Sequence, residues 1–232
     1  MKRFILKTIL ILFVVLLFQN CATGNKYLSS ETSISDVSNL DYFEPYSYIQ
    51  LIKKGNKAQL NDSLSIETKN KLDSIITFNK NLYKIKKKLN INDALVNKKI
   101  ENELSSLIQT AIQKRKLKGI KLTPVIDSVL ESKNQRFALG IVATGFGRRK
   151  GNYTGQSAKA VAVGVLTLGL FAPIPIKSNL SLYSIIVDSE KNEITFYKNT
   201  LPVEKSPDDP NVIKKQLDKL FQGYLTQKNK GQ

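Results

Sequence analysis

The sequence predicts an α+β fold: a mixed sheet with helices packed mainly on one face, two layers deep, in a single domain. Three observations predict it. Residues 46–52, 136–146, 180–188 and 193–200 are short runs rich in branched and aromatic side chains, the composition of strands. Apolar residues at a 3.6-residue period mark helices between them, most clearly over 93–117. The resulting order is strand, helix, edge strand, helices, central strand, insert, hairpin, helix, which one helical layer on a sheet satisfies.

The elements follow in order. Residues 1–20 read as a secretory leader: Lys2, Arg3 and Lys7 form the positive start, and Ile9 to Phe18 are unbroken apolar residues. That stretch is shorter than the roughly 20 residues a spanning helix needs. Cys21, the chain's single cysteine, stands where the leader ends. Residues 21–44, rich in Ser, Thr, Asn and Asp, read as a flexible tether. A single domain over 45–227 is expected after it, with 228–232 as a frayed tail.

Within the domain, Tyr46 to Ile52 alternate as a strand, and Lys54-Gly55-Asn56 make a turn. Asn61 and Asp62 are capping residues for a helix that carries Leu64, Leu72, Ile75 and Ile76 on one face. Residues 79–92 read as a lysine-rich edge strand, since lysines protect open sheet edges. Asp93 caps the longest helix, whose stripe is Val96, Ile100, Leu104, Leu107, Ile108 and Ala111, with Gly119 as its stop. Pro124 opens a shorter helix with Ile126, Val129 and Leu130 inward. Residues 136–146 are apolar on both faces and so belong at the centre of the sheet. Residues 180–188 and 193–200 form a hairpin. Asp209-Pro210 opens a last helix with Ile213, Leu217, Leu220, Phe221 and Tyr224 on its buried face.

Composition limits the chemistry. The chain has no histidine and one cysteine, so neither a His/Cys metal cluster nor a Ser-His-Asp or Cys-His arrangement can be built. No catalytic, metal-ligating or cofactor-binding residue is assigned, and no cofactor is expected. Removing residues 1–20 leaves 33 basic against 19 acidic side chains, a net +14. Behind a secretory leader this charge favours anionic lipid or an acidic partner over nucleic acid; scattered lysines on solvated faces also account for it.

Cys21 resembles the lipid-attachment residue of bacterial lipoproteins, here of the Bacteroidota type. Asn20 departs from the small residue usual before the cut. An uncleaved anchor and a free thiol are the alternatives. The helix from Thr123 to Leu130 leading into Phe137–Val142, and the hairpin from Ser184–Asp188 to Ile194–Tyr197, resemble periplasmic assembly lipoproteins of the curli-secretion and penicillin-binding-protein-activator types. That resemblance implies a non-enzymatic lipoprotein on the periplasmic leaflet of the outer membrane. It would support envelope assembly or maintenance through protein contacts. An oligomeric component of an outer-membrane export complex is the second reading, with this chain as a homo-oligomer. A carboxylate-based wall hydrolase is the third.

Residues 147–178 form an insert between strands. Arg148, Arg149 and Lys150 stand together, followed by an apolar run over 160–176. Three readings apply: a segment that closes the core, an interface between subunits through its small residues, or membrane contact with the basic run at anionic headgroups.

Overall fold

A computed structural model describes residues 27–29, 32, 36–37, 39–167 and 175–222. The leader, Cys21 and Tyr224 lie outside the described residues. Eight strands form one mixed sheet: β1 (Tyr27–Ser29), β2 (Leu40–Tyr42), β3 (Tyr46–Ile52), β4 (Ala58–Leu60), β5 (Ile85–Lys88), β6 (Phe137–Arg148), β7 (Asn179–Asp188) and β8 (Glu193–Asn199). The described helices are α1 (Asp62–Phe78), α2 (Ala94–Lys114), α3 (Pro124–Ser132), α4 (Asn152–Leu166) and α5 (Pro210–Phe221). The α+β class and the mixed sheet in one domain are as the sequence predicts.

Strand β6 is the axis. On one side it pairs antiparallel with β7, from Phe137↔Asp188 to Phe146↔Asn179. On the other it pairs parallel with β2 near its start and with β3 over the rest, ending at Ile52↔Arg148. β2 and β3 are one strand line broken at Pro45. Tyr42 faces Leu139 and Tyr46 faces Val142, so the β2–β3 side carries one extra residue, as a bulge does. Proline supplies no amide to the ladder there. β5 extends the sheet beyond β2, β4 lies outside β3, and β1 covers β8 at the far edge. In β5, Ile85 is buried and Lys86 to Lys88 are exposed, which is the expected lysine-guarded edge.

The layering differs from the expected single helical face. Leu139, Ile141 and Ala143 of β6 pack with Leu72 and Ile76 of α1 and Ile213, Leu217 and Leu220 of α5. The alternate positions Ala138 and Val142 pack with Ile100 and Leu104 of α2 and Ile126 and Leu130 of α3. The reason is the two-sided apolarity of β6 and β7: leaving either face in water would forfeit roughly 25 cal/mol for each Å² of apolar surface.

Two further boundaries shift. The polar segment 21–44 is not tether throughout: Leu40, Asp41, Tyr42 and Phe43 are buried, and Tyr27–Ser29 pairs with β8. Leu40 and Tyr42 supply the apolar surface that the polar background of this segment hides. Helix α2 stops before Gly119, at Arg115, which takes a left-handed conformation (φ 55°) as its C-cap. Gly147 and Arg148 belong to β6 rather than to the insert.

Caps are satisfied across elements as well as within them. Asn61 and Asp93 accept backbone amides at the starts of α1 and α2. For α3, Thr123 makes no side-chain cap. Glu103 of α2 takes that role, accepting from Ile126 N at 2.9 Å and from the Thr123 hydroxyl, which locks the two helices together.

Two expectations follow. A Cβ on Gly145 would stand 2.2 Å from the Asn179 carbonyl oxygen. Gly145→Ala should therefore lower stability by about 1–3 kcal/mol through overpacking, read as a shift of the urea midpoint; an unchanged midpoint would refute the β6–β7 register. Burial raises the Asp41 carboxyl above its ordinary value, with Lys87 and Lys86 opposing, and its Oδ1 has no hydrogen-bond partner. Charge on a carboxyl so raised opposes folding, so stability falls as pH rises through the folded-state value. Asp41→Asn should raise Tm at pH 7, and the gain should shrink as pH falls to about 4. Thermal melts at both pH values decide it, and an equal gain at each would count against this account.

Candidate functional site

Because β3 and β6 are parallel and β7 is antiparallel to both, the ends of β3 and β6 and the start of β7 lie together at one end of the sheet. Each brings basic residues. Lys53, Lys54 and Lys57 lie in and just after the β3–β4 turn, Arg149 and Lys150 follow β6, and Lys177 precedes β7; all are exposed. None of the six forms an ion pair among the described residues. Glu204 reaches this end, accepting from the Lys177 backbone amide at 3.0 Å; six basic side chains against that one acid concentrate positive potential there.

Arg148 is set apart from its neighbours. Its Nε donates to the Ile176 carbonyl at 2.7 Å, Nη1 to the Gly55 carbonyl at 2.8 Å and to Asn152 Oδ1 at 3.0 Å, and Nη2 to Asn56 Oδ1 at 2.8 Å. Its five fixed N–H donors suit this bridging of three chain segments. Of the basic run, then, Arg148 holds the end of the sheet together, and Arg149 and Lys150 face water.

The insert continues into α4. Gly151 precedes it in a left-handed conformation (φ 81°) and no side chain caps it. Ala160 is its one buried residue. Val161, Val165 and Leu166 are 66%, 71% and 83% exposed. With Ala158 and Ala162, also exposed, they fall at i, i+3, i+4, i+7 and i+8, one continuous apolar stripe facing outward. The core-closing reading of the insert therefore fails over this helix. A 15-residue helix without a side-chain cap is marginal on its own in water. Covering Val161, Val165 and Leu166 would contribute about 1.5–3 kcal/mol each.

A groove opens on the α2 face of the sheet. Tyr48, Val142, Thr144 and Tyr183 form its floor, and Ile108 and Ile112 of α2 form a wall. The Tyr48 hydroxyl lies 3.4 Å from Ser105 Oγ, and burial pushes its phenol up to about 12, so it stays neutral and able to donate. Rigid tyrosines of this kind are favoured contact residues at protein interfaces.

A second cleft contains Glu44 and Glu101 beside Tyr46 and Ser47. Glu44 pairs with Lys69 at 3.1 Å and Glu101 with Lys98 at 2.8 Å. Elsewhere, Asp188, fully buried, accepts both Arg136 Nε and Nη2 at 3.0 Å, Asp73 pairs with Lys88, and Asp218 accepts from the Tyr83 hydroxyl. These acids serve the fold. Among the described residues no group of His, Cys, Asp and Glu side chains comes together to hold a metal ion.

The sequence pointed to Arg148, Arg149 and Lys150 but missed Lys53, Lys54, Lys57 and Lys177 as their companions. The available signal was weak: lysines beside a turn, and a lysine just before a strand. Cys21 lies outside the described residues.

No family model matches the chain, and no curated protein matches it. Among solved structures, the chain is similar to the LpoB C-terminal domain from Salmonella enterica. The identity is 9%, the match covers 76% of this chain and 88% of that one, and the TM-score is 0.28. A likeness at that score has no bearing on function.

Removing the guanidinium that bridges three segments should free the insert. Arg148→Ala is expected to cost about 2 kcal/mol, the scale of hydrogen bonds made by a charged donor, and to speed trypsin cleavage after Arg149, Lys150, Lys159 and Lys177. Limited proteolysis mapped by mass spectrometry tests this; parent-like cleavage would show that Arg148 does not organise this end.

Proposed function

We propose that the chain is a lipid-anchored lipoprotein of the periplasmic leaflet of the outer membrane, working by contact with other envelope proteins and catalysing no reaction. The observation that carries this reading is the short distance between Cys21 and the sheet. Only five residues separate Cys21 from Tyr27, which already pairs with Lys198 of β8. Six residue steps reach at most about 20 Å. Acylation at Cys21 would thus hold the folded domain against the membrane, where a tethered domain meets partners at high effective concentration. The leader and the otherwise unused thiol support acylation. The groove floored by Tyr48 and Tyr183 supports a protein ligand, and the ion-paired carboxylates support a non-catalytic role.

Intact-mass measurement of the native protein should show loss of residues 1–20 and added acyl mass, and Cys21→Ala should remove that acyl mass. A mass that retains Met1, or an unmodified Cys21, would overturn the anchoring. For the protein contact, Ile112→Glu in the groove wall should weaken recovery of the crosslinked envelope partner about tenfold, the scale of one interface hot spot, with Tm unchanged. Cleavage of wall fragments by the purified protein would overturn the non-enzymatic reading.

A further inference from the structure

We infer that the basic end of the sheet and the outer face of α4 form a second membrane contact, laid on the anionic leaflet that holds the lipid of Cys21; this rests on acylation at Cys21.

Three independent features meet at that end. The first is charge: Lys53, Lys54, Lys57, Arg149, Lys150 and Lys177 are exposed there, against one acid, Glu204, which accepts from the Lys177 backbone amide at 3.0 Å. Clusters of four to eight basic side chains beside an apolar helix are what anionic headgroups attract. The second is the stripe Ala158, Val161, Ala162, Val165 and Leu166, which faces water. No described helix is long and apolar enough to cross a membrane, so α4 suits the interfacial plane, apolar face down and lysines at phosphate depth.

The third is where the chain from Cys21 arrives. β1 is antiparallel to β8, with Tyr27 opposite Lys198 and Ser29 opposite Phe196. β8 in turn runs from Glu193, opposite Asp188, toward Asn199, opposite Tyr183. The chain preceding Tyr27 therefore points toward the end where β6 finishes. Lys198 is level with Ser184, and Ser184 with Ile141. From Ile141 to Arg148 the strand climbs seven residues, about 23 Å. Six residue steps from Tyr27 back to Cys21 span at most about 20 Å. An acylated Cys21 thus keeps Tyr27 within about 20 Å of the lipid attachment point. Charge, apolar surface and a short tether accompany the same end of the sheet, and that combination favours lipid over a second copy of this strongly basic chain.

The test uses the mature acylated protein. With Cys21 blocked by lipid, Val165→Cys provides one free thiol for an environment-sensitive dye, and Lys133→Cys, at the opposite end of the sheet, provides the control. On vesicles of phosphatidylglycerol and phosphatidylcholine, the dye at position 165 should shift to the blue and be quenched by brominated lipid, and the dye at 133 should not. Replacing Arg149 and Lys150 together with glutamine should weaken the quenching about tenfold, as should phosphatidylcholine alone. These two residues lie in water, so the variant keeps its fold; an unchanged melting curve verifies that. If the protein floats with vesicles while the dye at 165 stays in water, the second contact is wrong and the anchor stands. If dye also labels position 21 and the protein does not float, the anchoring itself has failed. A blue shift that depends on protein density and ignores lipid charge would assign the stripe to a second copy and overturn the inference.

Discussion

The structure depends on the burial of β6 on both faces and along both edges. A strand in that position has no polar escape: each backbone amide must pair with a neighbour, and each side chain must pack against a helix layer. β7 supplies one edge and the broken β2–β3 line the other. Gly140 and Gly145 mark where its neighbours come closest, with a Leu104 methyl on one and the Asn179 carbonyl on the other. Everything else in the domain is arranged to cover this strand or to end it.

It ends differently at its two extremities. At its start, Arg136 clamps the buried Asp188 with two parallel bonds and reaches Glu190 at 2.8 Å, and its guanidinium lies 4.6 Å from the Phe137 ring centre. One cation is held there between two carboxylates. At its finish, Arg148 binds only neutral acceptors, the carbonyls of Gly55 and Ile176 and the amides of Asn56 and Asn152. No ion pair among the described residues engages Arg148 or the basic side chains around it, and Glu204 accepts from the Lys177 backbone amide at 3.0 Å. A single strand thus runs from an end where its arginine is ion-paired to an end where its arginine is not.

Much of the fold was legible in the residues. The stripe of α2, the Asp93 and Asn61 caps, the Pro124 and Pro210 starts, the lysine-guarded edge β5 and the two-sided apolarity of β6 are local patterns with local causes. The misreadings share one cause. Leu40 and Tyr42 are isolated apolar residues among polar ones, and only partners distant in sequence, Ile85 and Leu139, make them core. Glu103 is one of the acids along α2, and only the neighbouring helix makes it a cap.

By itself the sequence determined the element types, the central strand and the lack of any histidine. These follow from composition and periodicity, which act over a few residues. The tertiary structure alone decided that helices cover both faces, that Arg148 is a structural bridge, and that the β3–β4 turn lysines stand beside Arg149 and Lys150. Arg148 and Gly55 meet 93 residues apart. Periodicity tells which face a side chain takes, while the choice of neighbouring strand is set by packing across the whole sheet.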